Sequence, residues 1–439
     1  MRLFTTNAEE NLKEDSITTI PGIAGEMTLV KMYPAIQYQT VKGIGGAVTE
    51  AAAYTYARMG EDNKKKLVDL YFGEDGINYN LIRMHIQSCD FAIDNYQYVS
   101  DPEDRNLDTF NMDRDRKYIL PLLKDILSRG KDIEYIATPW SPPTFMKTNN
   151  DMNHGGKLKE EFADMWADMI VRYIQEYEKE GIRVARISTQ NEPAATQTWD
   201  SCCYSAVEEG VFIRDHLKPA LVKAGYGDIK IGIWDHNKEL LVERVGETLG
   251  VEGVAECVDS IFFHWYSGDH FEQVSEMSRR YPDKELVFTE GCVEYSRYNS
   301  TNPLVYAEMY AHEMIGDFNA GMEAFTDWNI YLDEMGGPNH VGNYCDAPVM
   351  CDTKTDEVNV QKSFYYIGHF SKFVKRGAKR VMTSKCTDKI ETVGFVNPDG
   401  EKVLIVLNKT ESDVKVNVAD GTQYAECEFK AHSISTLCW

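Results

Sequence analysis

Short apolar, β-rich runs alternate along the chain with longer amphipathic stretches. Up to residue 330 there are eight such runs, at 41–48, 77–86, 133–140, 184–190, 229–237, 260–266, 285–291 and 322–330. In the stretches between them, such as 160–180 and 302–319, apolar residues recur every three or four positions, which predicts helices. Apolar strands that alternate with helices indicate a parallel sheet covered on both faces, and eight successive units predict a closed (β/α)8 barrel, the TIM barrel.

A doubly wound open sheet is the alternative fold. The glycine-rich segment at 43–48 suggests the phosphate loop of a dinucleotide-binding sheet, because that loop has the pattern G-x-G-x-x-G. The third glycine of the pattern would fall at Val48, where the chain has no glycine. We therefore favour the barrel and expect no nucleotide or other cofactor.

The pattern changes after about residue 370. From there to the end, short strands with alternating polarity are separated by turns of the Pro-Asp-Gly and Ala-Asp-Gly type, which predicts antiparallel hairpins. We interpret this part as an appended antiparallel β-sandwich, into which the early strand at 26–34 is expected to pair. The predicted division is 1–37 for N-terminal strands joining the side β-domain, 38–370 for the catalytic barrel and 371–439 for the sandwich.

Composition and charge exclude several classes of partner. A hydrophobic fraction of 43% is typical of a globular protein, and a formal charge of -24 argues against binding nucleic acid or anionic lipid. Nowhere do eighteen apolar residues run together, so no membrane insertion is expected. The first twenty residues have no apolar core of signal-peptide length, which predicts a cytoplasmic protein. The ten cysteines are dispersed without a C-x-x-C pair, which is typical of reduced thiols rather than disulfides or a zinc site.

Residues with functional chemistry recur where the predicted strands end. Active sites of such barrels lie at the carboxyl ends of the strands. The residues at these ends are Ser88, Cys89 and Asp90, Trp140, Asn191 and Glu192, Asp235 and His236, His264 to Tyr266, Glu290, and Asp327 to Asn329. This recurrence predicts one active site that draws on most of the strands.

Glu192 and Glu290 stand out among these residues. They end the fourth and seventh strands, which face each other across a barrel mouth, and tryptophans and amide groups surround them. Tryptophan rings pack against the C–H faces of a sugar, while Asp and Asn side chains bind its hydroxyl groups. A pair of carboxyl groups can protonate a glycosidic oxygen and attack the anomeric carbon. The pattern therefore predicts a sugar site, although single carboxylates at strand ends are often helix caps.

Several motifs in a fixed order resemble glycoside hydrolase family 30, in particular its glucosylceramidase-like branch. The similarity runs from about residue 38 to the end of the chain. It is carried by the motifs CDF at 89–91, QNEP at 190–193, TEGC at 289–292, TDWN at 326–329 and GHFSKF at 368–373. The NEP motif alone is shared by several glycosidase families with this barrel, whereas the combination is specific.

The resemblance implies roles for nine residues. Glu192 would be the general acid/base and Glu290 the nucleophile of a retaining double displacement, in which the acid has a raised pKa and the nucleophile stays ionised. Asn191 would bind the sugar 2-hydroxyl. Arg83 and Tyr266 would hold the nucleophile, with a structural ion pair as the plain alternative for Arg83. The pocket for the terminal sugar would be lined by Asp90, Trp140, Trp328 and Asn343.

The predicted function is an exo-acting β-glucosidase, with an oligosaccharide, an aryl or alkyl glucoside, or a glycolipid as substrate. A β-xylosidase or a β-1,6-glucanase of the same family is the nearest alternative. The loop at 194–210 differs from that of the human glucosylceramidase and lies where the leaving group should bind, so the preference for the aglycone is the least transferable feature. A noncatalytic carbohydrate-binding barrel would lack one of the two glutamates. A metal-dependent hydrolase would need clustered ligands, and the ten histidines show no H-x-H or H-E-x-x-H spacing. The oligomeric state is not predicted.

Overall fold

The computed structural model describes residues 1–439 and contains the predicted closed barrel. Each strand pairs in parallel with the next, and the eighth pairs with the first. The barrel strands are Gly43–Ala47, Leu81–Ile86, Glu134–Pro139, Val184–Ser188, Lys230–Asn237, Ser260–His264, Glu285–Glu290 and Ala324–Asp327. All eight predicted strands are confirmed, and the open-sheet alternative is wrong.

The glycine-rich segment forms the first barrel strand, where the backbones of two strands approach closely. A Cβ atom built on Gly45 would lie 1.6 Å from the carbonyl oxygen of Leu81 on the second strand. Glycine at this position therefore serves strand packing rather than phosphate binding.

Helices cover the outside of the barrel. The two predicted at 160–180 and 302–319 are present as Ala163–Lys179, preceded by a 3-10 turn at Glu160–Phe162, and as Pro303–Ala320. The other α-helices are Glu50–Arg58, Glu61–Phe72, Asp113–Lys117, Ile119–Leu127, Ala206–Phe212, Lys218–Lys223, Leu241–Leu249, Phe271–Arg280 and Lys362–Ser371, with a π-helical turn at Ile213–Leu217 and further 3-10 turns at Glu26–Thr28, Thr144–Met146 and Lys238–Leu240.

A ten-stranded sheet, curled around its own apolar core, forms the predicted β-sandwich. Its strands are Arg2–Thr6, Lys13–Ser16, Ile20–Pro21, Leu29–Thr40, Lys379–Lys385, Glu391–Val396, Lys402–Asn408, Val414–Ala419, Gln423–Phe429 and Ser433–Cys438. Leu29–Thr40 pairs with Lys379–Lys385, so the expected pairing of the early strand is confirmed. Nearly all neighbours are antiparallel, the exception being Leu29–Thr40 with Val414–Ala419.

The barrel and the sheet share one continuous apolar core. Phe318 and Phe370 of barrel helices belong to the same buried cluster as Phe395 and Ile405 of the sheet. His369 is fully buried at this junction, where its ring nitrogens lie 2.8 Å from Thr436 and 2.9 Å from Thr6. We propose that the domain boundaries lie at residues 37 and 370, as predicted, although the barrel and the ten-stranded sheet pack tightly against each other.

Segments that follow the seventh and eighth barrel strands form two small sheets. Val293–Glu294 pairs with Cys345–Asp346, and Val349–Asp352 pairs with Leu332–Asp333 and Glu357–Val360. All ten cysteines are free thiols, as predicted. None of the helices has the length and apolar content that a membrane-spanning helix needs.

Candidate active site

A cavity of about 290 Å³ opens at the carboxyl ends of the barrel strands. Of the nine residues singled out from the sequence, eight line it: Asp90, Trp140, Asn191, Glu192, Tyr266, Glu290, Trp328 and Asn343. The ninth, Arg83, is fully buried beneath the cavity floor. The structure therefore brings together residues that are spread over more than 250 positions of the chain.

Glu192 is held at the cavity wall by a strained backbone. It has a φ of 46°, in the left-handed region that residues other than glycine seldom adopt. Its N–H donates to the carbonyl of Asp235 at 3.0 Å, and the N–H of Asn191 donates to the carbonyl of Pro139 at 2.8 Å. Four more residues at or near strand ends have positive φ, namely Gln87, Trp234, Asp235 and Asn329. Such clustering of strain is typical of functional sites.

Arg83 joins three residues of the site from below. Its guanidinium group donates to Glu290 Oε2 at 2.6 Å, to Asp235 Oδ2 at 2.9 Å and to Asn191 Oδ1 at 2.9 Å. Since the amide oxygen of Asn191 is occupied in this way, its NH2 group is left to donate to a ligand. The other oxygen of Glu290, Oε1, accepts from the hydroxyl of Tyr266 at 3.0 Å.

Asp235 lies below the rim and anchors this network. Besides Arg83, it accepts from Thr289 Oγ1 at 2.5 Å, and its Oδ1 lies 3.1 Å from His264 Nε2. The side chain is completely buried. The strand-end pattern predicts Asp235 at the mouth of the barrel, and that placement is wrong because its side chain is fully buried and does not line the cavity.

The tryptophans of the floor stack on each other and on Arg83. The rings of Trp140 and Trp328 lie 5.2 Å apart at 18°, and the guanidinium carbon of Arg83 lies 4.8 and 5.3 Å from their centroids. Both are nearly fully buried, so only small parts of them can contact a sugar. Trp199, from the divergent loop, also lines the cavity and is more exposed.

Asp90 lines the cavity wall, and its pKa is shifted upward. Burial, together with the nearby Glu290 and Asp200, raises the pKa of the Asp90 carboxyl well above its ordinary value. Asn339 donates to Asp90 Oδ2 at 3.2 Å. A neutral carboxyl group can both donate to and accept from sugar hydroxyls.

Two domain descriptions match almost the whole chain. Residues 41–374 match the Glycosyl hydrolase family 30 TIM-barrel domain, and residues 377–437 match the Glycosyl hydrolase family 30 beta sandwich domain. The chain belongs to glycoside hydrolase family 30. The resemblance that its motifs indicate and the predicted fold class are thereby confirmed, and the protein is a glycoside hydrolase with a carbohydrate or glycolipid substrate.

Proteins that are similar to this hydrolase in sequence or structure are named for activities on different substrates. It is 32% identical to the Lysosomal acid glucosylceramidase of Mus musculus over 94% of the chain and 84% of that protein. Among solved structures, SrfJ from Salmonella typhimurium is 39% identical with a TM-score of 0.97, covering 100% of this chain and 99% of that one. The endo-beta1,6-glucanase BT3312 is 26% identical with a TM-score of 0.91, covering 100% and 98%.

The pKa values of Glu290 and Glu192 are shifted in opposite directions. Burial raises the pKa of Glu290, and His264 and Arg83 only partly offset the rise. Burial also acts to raise the pKa of Glu192, but the neighbouring His236 and His264 lower it to about 2. These directions are opposite to those that the resemblance implies, because two histidines flank Glu192.

His264 explains this reversal, and the sequence assigns it no catalytic role. Burial lowers its pKa, but Glu290, Asp235 and Glu192 raise it to about 9 in sum. Its Nδ1 lies 3.5 Å from Glu192 Oε1. When groups interact this strongly, their protons belong to the pair, so Glu192 and His264 are expected to titrate together. The tryptophan and tyrosine that follow His264 mark the strand end but do not reveal this contact.

Two buried arginines offer a matched test of the network. Arg186 lies at the opposite end of the barrel, paired with Glu134 and Glu285 and 3.1 Å from Ser260. We expect Arg83→Lys and Arg186→Lys to lower the thermal unfolding midpoint similarly, because lysine cannot make the same forked contacts. Only Arg83→Lys should lower kcat/KM, by about 10–100-fold for a loss of about 1.4–2.8 kcal/mol. Equal activity losses would show that Arg83 is only structural.

Proposed function

We propose that this hydrolase is an exo-acting, retaining β-glucosidase with Glu290 as nucleophile and Glu192 as acid/base. One observation carries the proposal. Arg83 and Tyr266 hold Glu290 by both carboxylate oxygens at 2.6 and 3.0 Å, while Glu192 faces the same cavity from another strand. A carboxylate fixed at both oxygens that shares one cavity with a second carboxyl group is the arrangement that double displacement requires.

The catalytic cycle follows from these contacts. Glu290 attacks the anomeric carbon while Glu192 protonates the leaving oxygen, and a glycosyl ester forms on Glu290. Glu192 then takes a proton from the incoming water, which attacks the anomeric carbon, breaks its bond to Glu290 and releases the sugar while the Glu290 carboxylate is restored. The free NH2 group of Asn191 is suited to donate to the 2-hydroxyl, where contacts strengthen toward the transition state.

The size of the cavity supports cleavage at the end of a substrate. Its volume of about 290 Å³ lies at the lower end of the range for ligand pockets, which suits one sugar ring better than a polymer segment. The leaving group would contact the divergent loop through Gln197 and Trp199 and the opposite side through Glu294 and Arg297. We propose aryl, alkyl and lipid β-glucosides as the substrate class, since the mouse relative is named a glucosylceramidase.

A second candidate is an endo-β-1,6-glucanase. The similarity to BT3312 over the whole chain favours it, because an endo-acting enzyme shares this architecture.

We also propose that the protein resides in a reducing compartment, such as the cytoplasm, because all ten cysteines are free thiols.

The function is tested with nitrophenyl β-D-glucoside, xyloside, fucoside and galactoside, with β-1,6-glucan alongside. The proposal requires the glucoside to have the highest kcat/KM and the polymer to release glucose from its end. Release of mid-length oligosaccharides from the glucan, with no cleavage of the glucoside, would favour the endo-acting candidate. Binding without cleavage of any substrate would favour the noncatalytic barrel.

We expect kcat/KM to fall on both sides of neutral pH. Glu290 must be ionised to attack, and its pKa is raised above 4.5 by burial, so activity is lost as the pH falls through a value above 4.5. The proton that Glu192 delivers is shared with His264, whose pKa is about 9, so activity is lost as the pH rises through about 9. Rates on the nitrophenyl glucoside across this range measure both limbs. An alkaline limb near pH 6 would contradict the shared proton.

A further inference from the structure

Three ligand-type atoms converge at one wall of the cavity. Glu192 Oε1 lies 3.6 Å from His236 Nδ1 and 3.5 Å from His264 Nδ1. Each of the three residues offers one ligand atom, and these atoms lie within 4.8 Å of one another. Both Nδ1 atoms are buried and make no well-formed hydrogen bond, although polar atoms in protein interiors are nearly always paired.

We propose that Glu192, His236 and His264 form a binding site for a divalent transition metal ion, of which Zn²⁺ is the model. Two imidazole nitrogens and one carboxylate oxygen are a common zinc ligand set. Bonds of about 2.1 Å in tetrahedral geometry separate the ligand atoms by about 3.4 Å. The separations of 3.6 and 3.5 Å from Glu192 are close to this value, and side-chain rotation of a histidine can adjust the third, which is at most 4.8 Å. Mg²⁺ and Ca²⁺ prefer oxygen ligands and do not fit.

The surroundings orient one of the two histidines for metal binding. His264 Nε2 lies 3.1 Å from Asp235 Oδ1, so in the neutral ring the proton stays on Nε2 and the lone pair of Nδ1 faces Glu192. A carboxylate behind a histidine ligand is the usual arrangement in metal sites, and binding releases any second proton of the ring. His236 and Glu192 line the cavity, which gives an ion an entry path and leaves its fourth position open.

The ion would inhibit the enzyme rather than assist it. Glu192 cannot donate or accept a proton while its oxygen is bound to metal, so neither step of the cycle can proceed. This consequence rests on the proposed function, whereas the binding site itself does not. The reaction requires no metal, so hydrolysis and metal binding can be measured separately.

Isothermal titration calorimetry of the full chain with ZnCl2, in a buffer that does not chelate zinc, measures binding directly. We expect one Zn²⁺ per chain and an affinity at least about tenfold weaker in both Glu192→Gln and His236→Asn, since even outer contacts of metal sites are worth 10–100-fold. His154→Asn is the matched control, because His154 is exposed and pairs only with Asp151. It should bind Zn²⁺ like the wild type.

Absence of Zn²⁺ binding to the wild type, or unchanged affinity in both site variants, would overturn the proposal. Circular dichroism checks that Glu192→Gln and His236→Asn are folded. The two variants remove different ligands of the site, so each tests it independently. Rates on the nitrophenyl glucoside should fall with Zn²⁺ occupancy, stay constant with Mg²⁺ and recover with EDTA. If the metal-free enzyme cleaves no β-glycoside, the proposed function fails while calorimetry still decides the metal site.

Discussion

Replacing Glu290 with glutamine should lower kcat by at least about 10⁴-fold, the size of effect seen when a covalent nucleophile is removed. Glutamine has nearly the same shape as glutamate, its single oxygen can still accept from Arg83, and the hydroxyl of Tyr266 can accept from its NH2 group. The amide cannot attack the anomeric carbon, so no glycosyl-enzyme forms. The thermal unfolding midpoint should change far less than the rate, which is measured on the nitrophenyl β-glucoside.

Glu294 provides the matched control for this substitution. It lies four residues further along the chain, lines the same cavity, and burial raises its pKa as it does that of Glu290. Its nearest cation is Arg297 at 3.9 Å, whereas Glu290 contacts Arg83 at 2.6 Å. Glu294→Gln should lower kcat by less than about tenfold, as expected for a group outside the chemical step. A similar loss in both variants would mean that negative charge in the cavity, rather than a nucleophile, is what matters.

Replacing Glu192 with glutamine should produce a loss that depends on the leaving group. For an alkyl glucoside, whose leaving oxygen needs a proton, we expect kcat/KM to fall by about 10²–10⁴-fold, the usual contribution of general acid catalysis. For a dinitrophenyl glucoside, which needs little assistance, kcat/KM should be nearly retained. The two substrates are compared under identical conditions at the pH of maximal activity.

The same two substrates separate the roles of the two glutamates. Glu290→Gln should lose activity on both substrates alike, because every glycoside needs the nucleophile. If Glu192→Gln lowers kcat/KM by the same factor for both substrates, Glu192 does not act as the acid, and the assignment is wrong.

Gln197→Ala tests the hydrogen bond to Glu192, since Gln197 donates to Glu192 Oε2 at 3.2 Å. Gln197→Ala should lower kcat/KM for the alkyl glucoside by a much smaller factor than Glu192→Gln does.

Most of the fold can be predicted from periodicity alone. The barrel strands are continuous apolar runs because both of their faces are buried, and this signal is strong. The strand Gln423–Phe429 is missed, although Ala425, Cys427 and Phe429 face the sheet core in alternation. Small apolar residues separated by two glutamates have weak strand propensity, and only the packing of the neighbouring strands reveals the pattern.

The candidate site shows a similar limit. Glu192 and Glu290 can be predicted as site residues because both follow barrel strands, and the carboxyl ends of all barrel strands meet at one mouth. The sequence does not reveal which groups touch. The contact of His264 with Glu192 depends on side-chain directions across two strands, and it reverses the expected order of the two pKa values. Likewise, the burial of Asp235 beneath the rim follows from its left-handed backbone.

The central claim, that Glu290 forms a glycosyl ester with a β-glucoside, is tested most directly by trapping that ester. A 2-deoxy-2-fluoro-β-D-glucoside with an activated leaving group forms the intermediate faster than it is hydrolysed. After incubation, mass spectrometry of the digested protein should locate one fluoroglucosyl group on Glu290, and Glu290→Gln should remain unlabelled. Label on another carboxylate, or a wild-type enzyme that turns over β-glucosides without ever becoming labelled, would contradict the account.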